Sequence, residues 1–141
     1  MKVELKEGAF MPDRAHKADA GYDIRTPVDF IVRGGFMGWL GSKTIDTGVC
    51  VQIPEGYVGF LKSKSGLNVK RGLFGEGVID SGYTGSIKVK LYNSTSRNVK
   101  FYRGDKIIQL VMLPIYTPEL EQVDRLEETE RGDNGFGSSG R

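Results

Sequence analysis

The sequence predicts an all-β protein, and three observations carry that reading. Short runs rich in β-branched and aromatic residues recur along the chain, glycine punctuates them at 20 of 141 positions, and helical periodicity is scarce. Many short strands joined by glycine-rich turns indicate a sandwich or barrel rather than alternating strand and helix. A chain of 141 residues has the length of one domain and can bury a core without disulfides or a structural metal.

Taken in order, AGYDI (20–24) sets Asp23 between an aromatic and an isoleucine, where a strand carboxylate binds a cation or pairs with an arginine. The runs at 28–32, 49–53, 57–61, 86–92, 98–102 and 106–116 read as strands, and SIKVKLY (86–92) alternates apolar and charged positions cleanly. IPEGY, DSGYTG, NSTSRN and YRGDK supply turns between them. GGFMGWLGSKT (34–44) resembles a phosphate loop but has Ser42 where the lysine should follow glycine directly. It is expected to be a flexible strand-to-strand loop with Trp39 exposed. SGLNVKRGL (65–73) reads as one or two helical turns entered through a serine cap. By propensity alone 118–130 is a helix, with apolar spacing at Leu120, Val123 and Leu126.

Lys and Arg total 20 against 18 Asp and Glu, a formal charge of +2. That balance excludes a protein coated with cations for DNA and leaves room for a small anion held by a few of them. Cys50 lies in an apolar run, far from the one histidine, His16, and reads as a buried, inert thiol. No secretory signal and no apolar run of membrane-spanning length is present, so the expectation is a cytoplasmic protein with no membrane partner.

Four stretches bear on chemistry. SKSGL (63–67) offers Lys64 with two hydroxyls and a glycine: either a cradle for phosphate or an ordinary cap beside a solvated lysine. In GVIDSGYTG (77–85) Asp80 opens a tight turn containing Tyr83. Such an aspartate either bonds its own backbone or orients and deprotonates a water. Gln109 sits inside an apolar strand and needs hydrogen-bond partners. The tail RGDNGFGSSGR (131–141) is glycine-rich, yet carries Phe136, and disordered tails are poor in aromatics.

Together DAGYDI (19–24), SKSGL (63–67), GVIDSGYTGSIKVKLYN (77–93), RGDKIIQLV (103–111) and RGDNGFGSSG (131–140) resemble the five motifs of the trimeric dUTP diphosphatase (dUTPase) family, in order and in register. IDTGVCVQIPEGYVGFL (45–61) is similar to the framework between the first two. The resemblance implies a homotrimer of jelly-roll-like, distorted β-barrels, each with one short helix and an extended, partly stranded C-terminal arm. Residues 1–130 would be one β domain including the exchanged arm, and 131–141 a flexible lid. The implied reaction is Mg²⁺-dependent hydrolysis of dUTP to dUMP and pyrophosphate, limiting uracil in DNA, with no stable nucleic-acid partner.

The resemblance also implies roles. Asp80 would hold the attacking water, and Tyr83 would pack under deoxyribose and exclude a 2′-hydroxyl. The backbone around Val78 and Ile79, running on to Lys88, would read the uracil edge. Lys64, Ser65, Gly66 and Gln109 would face the phosphates, and Asp23 would reach Mg²⁺ through water. Arg131 would take the γ-phosphate and Phe136 would stack on uracil, with Gly137 and Ser138 beside it as further substrate contacts. The family usually has arginine where this chain has Lys64, a point charge instead of a fork. The related dCTP deaminases need a glutamate where this chain has Lys90, which removes their acid–base group. A second, protein-binding role would use the exposed Trp39.

Overall fold

The computed structural model describes residues 1–133, and they form the expected all-β fold with one short helix. The chain runs through β1 (Lys2–Leu5), β2 (Gly21–Arg25), β3 (Phe30–Val32), β4 (Gly41–Gln52) and β5 (Tyr57–Lys62). Helix α1 (Ser65–Arg71) follows, then β6 (Leu73–Phe74), β7 (Gly77–Ile79), β8 (Ser86–Asn93), β9 (Val99–Phe101) and β10 (Lys106–Pro114). One four-stranded sheet has the order β1-β4-β8-β6, a second β2-β10-β5-β7, and β3 pairs with β9. All these pairings are antiparallel. The architecture is jelly-roll-like.

The alternation in β8 shows why these residues make this fold. Ile87, Val89 and Leu91 point inward while Lys88 and Lys90 face out, the period-two pattern of a half-buried strand. Those three meet Ile24, Leu61 and Leu110 of the other sheet in one core cluster. Each such side chain contributes about 1.5–3 kcal/mol by leaving water. Strand β4 slips register between Asp46 and Cys50 as it passes from β8 to β1. Side chains satisfy the irregularity: Gly48 N–H donates to Asp46 Oδ1 (3.1 Å), and Thr47 Oγ1 to the Ile87 carbonyl (2.8 Å). Cys50 is buried beside this slip.

Four local expectations are corrected. The strand expected at 49–53 begins at Gly41, so the second half of 34–44 is strand. The first half is a hairpin in which Phe36 and Trp39 exchange both backbone hydrogen bonds (3.0 Å each) around Met37 and Gly38, with Trp39 exposed as expected. Helix α1 is capped by extended Lys64 with no side-chain bond, not by a serine. Residues 118–130 form neither a helix nor a strand; after Ile115 N–H meets the Gly56 carbonyl (2.9 Å) the arm runs on exposed to 133. Among the described residues, no helix is long and apolar enough to cross a membrane.

Candidate active site

Antiparallel register sets Asp23, Gln109 and Lys62 in one row across β2, β10 and β5. Strand β5 ends there, and Ser63 and Lys64 carry the chain into α1 over the end of the row. Ser63 pins this corner twice: its hydroxyl donates to the Gly75 carbonyl and accepts from Gly75 N–H, both at 3.0 Å. The Gln109 amide, whose partners the sequence left open, donates to the Ser63 carbonyl at 3.2 Å. A Cβ at Gly21 would lie 2.5 Å from Gln109 Oε1, so the glycine of AGYDI makes room for this amide.

Asp23 is the charged centre of this corner and is only 7% exposed. Its Oδ1 pairs with Lys64 Nζ, and its Oδ2 with Lys106 Nζ at 2.7 Å. Burial pushes the carboxyl up, but hydrogen bonds from Lys106 and then Lys64, with their charges, outweigh it and hold Asp23 below its ordinary value. The same bond holds Lys106 above its own. Ser65 and Gly66 are exposed alongside, and a Cβ at Gly66 would meet nothing of this chain within 4 Å. Two ammonium groups, a hydroxyl and open backbone make a cradle suited to a polyanion.

Both Asp23 oxygens are in ion pairs, so a directly bound cation would have to displace a lysine. Among the described residues, no three His, Cys, Asp or Glu side chains cluster to hold a metal ion.

A second constellation lies around β7. Among the described residues this strand ends its sheet and pairs only with β5, so its outer edge offers backbone N–H and C=O groups to a planar partner. Ile79 turns into the core and Val78 outward. Asp80 is exposed, and its carbonyl accepts Tyr83 N–H at 3.0 Å, closing the turn. The Tyr83 ring lies back over Gly85, where a Cβ would come 2.7 Å from its hydroxyl, and that hydroxyl donates to the Ser86 carbonyl at 2.8 Å. Ser86 Oγ in turn donates to Asp46 Oδ1. This bond first, then the one from Gly48 N–H, keeps the Asp46 carboxyl below its ordinary value. Lys88 is exposed on β8 opposite Asp46.

One chain does not bring the two constellations together. Ile79 pairs with Gly59, so Asp80 lies about four residues along β5 from the Asp23 row at Lys62, and three strand intervals to the side. With strand rise and spacing of roughly 3.3 and 4.8 Å, that is about 19 Å. Arg131 is exposed near the end of the arm, and Phe136, Gly137 and Ser138 lie outside the described residues. Sequence reasoning missed Lys106 and Asp46, which act through partners 83 and 40 residues away. For Asp46 a faint signal existed, since aspartate two residues before a glycine in IDTG forms an Asx turn.

Residues 7–140 match the family model described as dUTPase. A deoxyuridine 5'-triphosphate nucleotidohydrolase of Paramecium bursaria Chlorella virus 1 is 40% identical over 138 residues, covering 97% of this chain and 94% of that protein. One of the same description from Arabidopsis thaliana is 38% identical, covering 97% and 80%. Among solved structures, a dUTPase variant of Staphylococcus bacteriophage 80alpha with dUpNHpp superposes with a TM-score of 0.88 at 35% identity, covering 99% of this chain and 98% of that one. A dUTPase variant of phage phi11 of S. aureus, described as coordinating a structural Mg(II) ion, gives 0.78 at 34% identity, covering 90% and 98%.

Proposed function

The chain belongs to the dUTPase family, and on that premise we propose that it hydrolyses dUTP to dUMP and pyrophosphate. The observation that carries the reading is the free edge of β7, ended by Asp80 and flanked by the Tyr83 ring. Fixed N–H and C=O groups on a strand edge can pair with uracil and leave cytosine's exchanged donor and acceptor unmatched. Val78 and Ile79 supply that edge, and the chain runs on past the turn to Lys88 on β8. Tyr83, tied down at both hydroxyl and backbone, forms a rigid floor for deoxyribose that has no room for a 2′-hydroxyl.

In this reading Asp80 takes a proton from water as its oxygen attacks the α-phosphorus in line. The bond from that phosphorus to the bridging oxygen of the β-phosphate breaks, and pyrophosphate leaves. Lys64, Ser65, Gly66 and Gln109 hold the phosphates, and Arg131 binds the γ-phosphate. Phe136, with Gly137 and Ser138, covers the base. Catalysis is then positioning and charge neutralisation, as is usual for phosphoryl transfer. Mg²⁺ bound with the triphosphate would supply neutralisation of phosphate charge, and Asp23 is the residue that would hold it, through water.

The reading requires more than one chain per site. A triphosphate held at the cradle is out of reach of an Asp80 about 19 Å away, so the hairpin must come from a neighbour. The exposed arm supports the same assembly: Tyr116, Leu120 and Leu126 are 88, 98 and 81% exposed, apolar surface suited to another protomer. A homotrimer with exchanged arms, a domain of residues 1–130 and a lid of 131–141 fits both features. The enzyme would act in the cytoplasm. Phe36, Met37 and Trp39, all more than three-quarters exposed on their hairpin, are the candidate surface for a protein partner. The deaminase alternative is disfavoured, because Lys90 is exposed on β8 with its ammonium 5.0 Å over the Tyr92 ring, and no carboxylate stands in its place.

The test is release of pyrophosphate from dUTP, dCTP, dTTP and UTP with Mg²⁺. Turnover of dUTP with poor use of the other three is expected. Deamination of dCTP, or no turnover of dUTP, would contradict the proposal.

A further inference from the structure

Lys106 stands between two carboxylates. Its ammonium lies 2.7 Å from Asp23 Oδ2 and 3.6 Å from Asp13 Oδ1. Asp13 is held from the other side by Arg25 at 3.2 Å, and Arg25 donates to the Gly104 carbonyl at 2.9 Å. The backbones of Asp13 and Asp23 are bridged in both directions, at 3.2 and 2.6 Å. Lys106 is therefore fixed by groups that are themselves fixed.

Lys64 differs. It follows the end of β5, and its ammonium has one ion-pair partner among the described residues, Asp23. A lysine stem carries considerable rotamer freedom, and a buried carboxylate is a stable anchor for it only while its own charge is balanced. The two lysine side chains are each 27% exposed and line one open groove with Gly66 and Asp105. Each ammonium has three donors and spends only part of them on Asp23.

Resting on the dUTP reading above, we propose that Lys106 is a positioning residue of the phosphate cradle: it neutralises one oxygen of buried Asp23, so that the other can anchor Lys64 toward the triphosphate without repelling it. The unit of two lysines and one aspartate carries one net positive charge. Without Lys106 it is neutral, and the phosphates meet a carboxylate that only Lys64 screens. The arrangement accounts for a lysine serving at position 64, since the anchor supplies the directionality that its point charge lacks.

The experiment measures calorimetric binding of inorganic tripolyphosphate to the full chain, with dUTP kinetics and thermal midpoints for the same variants. Lys106→Gln is expected to weaken tripolyphosphate and raise KM by about tenfold, roughly one charge-assisted contact, with kcat nearly unchanged. Lys106→Arg should restore binding to within about threefold, because the charge is kept. The decisive comparison is in an Asp23→Asn background, which needs no folded Lys106→Gln single variant. There Lys106→Gln should cost less than about threefold, since Asp23 no longer carries a charge to be neutralised and Asp13 stays paired with Arg25. A full tenfold loss in that background would make Lys106 an independent contact and overturn the proposal. So would a folded Lys106→Gln protein that binds tripolyphosphate normally, which would leave only a structural role. Normal dependence of tripolyphosphate binding on Lys106 without dUTP turnover would instead refute the dUTP reading and leave this inference standing.

Discussion

The phosphate cradle and the nucleoside hairpin are built by opposite means. The cradle is closed within one chain: Asp23 is buried, both its oxygens are paired, and Gln109 and Ser63 lock the corner where β5 turns into α1. The hairpin is open: Asp80 is exposed, β7 keeps a free edge, and Tyr83 holds its place through a relay of hydroxyls back to Asp46. Charges that must meet a flexible polyanion are preorganised against their own counter-charges, which keeps them stable with no ligand bound. The groups proposed to meet a planar base are left as bare edge, and on that proposal their partner is the ligand itself. On the proposed function, the roughly 19 Å between the two halves calls for assembly, not a local rearrangement, to complete the site.

The contrast can be broken first on the hairpin side. Asp80→Asn should lower kcat by about 10²–10⁴ while retaining binding of a non-hydrolysable dUTP analogue, because the cradle is untouched. Single-turnover rates and analogue titration measure both, and lost analogue binding would mean the halves are not separate. A smaller effect probes the cradle side. Gly21→Ala would push its Cβ into the Gln109 amide, the movable end of a side chain. Turnover should fall about tenfold, the worth of one hydrogen bond, with the thermal midpoint within a few degrees of wild type. A large stability loss with normal turnover would show that Gln109 serves packing alone.

The smallest effect concerns the relay. Asp46 has a lowered carboxyl, so its contribution is complete above the unfolded-state value of about 4 and is lost as pH falls through its folded value. Asp46→Asn should therefore cost less than about 1 kcal/mol near neutral pH, this carboxylate being solvent-screened. The difference from wild type should shrink as pH falls below about 4, as followed by thermal unfolding across pH. A difference that grows in acid would have the wrong sign.

Much of this was legible in the sequence, for reasons that separate the two halves again. Strand β8 announced itself because its two faces differ, and Asp80 and Tyr83 stood out because a strand end and its whole turn lie within nine residues, 77–85. β1 escaped notice: its four residues are nearly all exposed and it is held by backbone pairing with β4, which leaves no pattern. The apolar spacing at Leu120, Val123 and Leu126 pointed to a helix, but nothing among the described residues covers such a face, and a short helix gains most of its stability from packing. The cradle's charge pairs were invisible for another reason. Lys64 and Asp23 are 41 residues apart, and Lys106 and Asp23 are 83 apart, so only the fold brings them together. The motif resemblance named Asp23 and Lys64 separately; it took register to join them.

The central claim is that one working site draws its cradle and its hairpin from different chains. Co-expression of an Asp80→Asn chain with a Lys64→Ala/Gln109→Ala chain, each inactive alone, tests it most directly. Random co-assembly should return about a quarter of wild-type turnover, because half of the hairpins and half of the cradles are intact and they combine across the interface. A mixture no more active than its two parents would contradict the account.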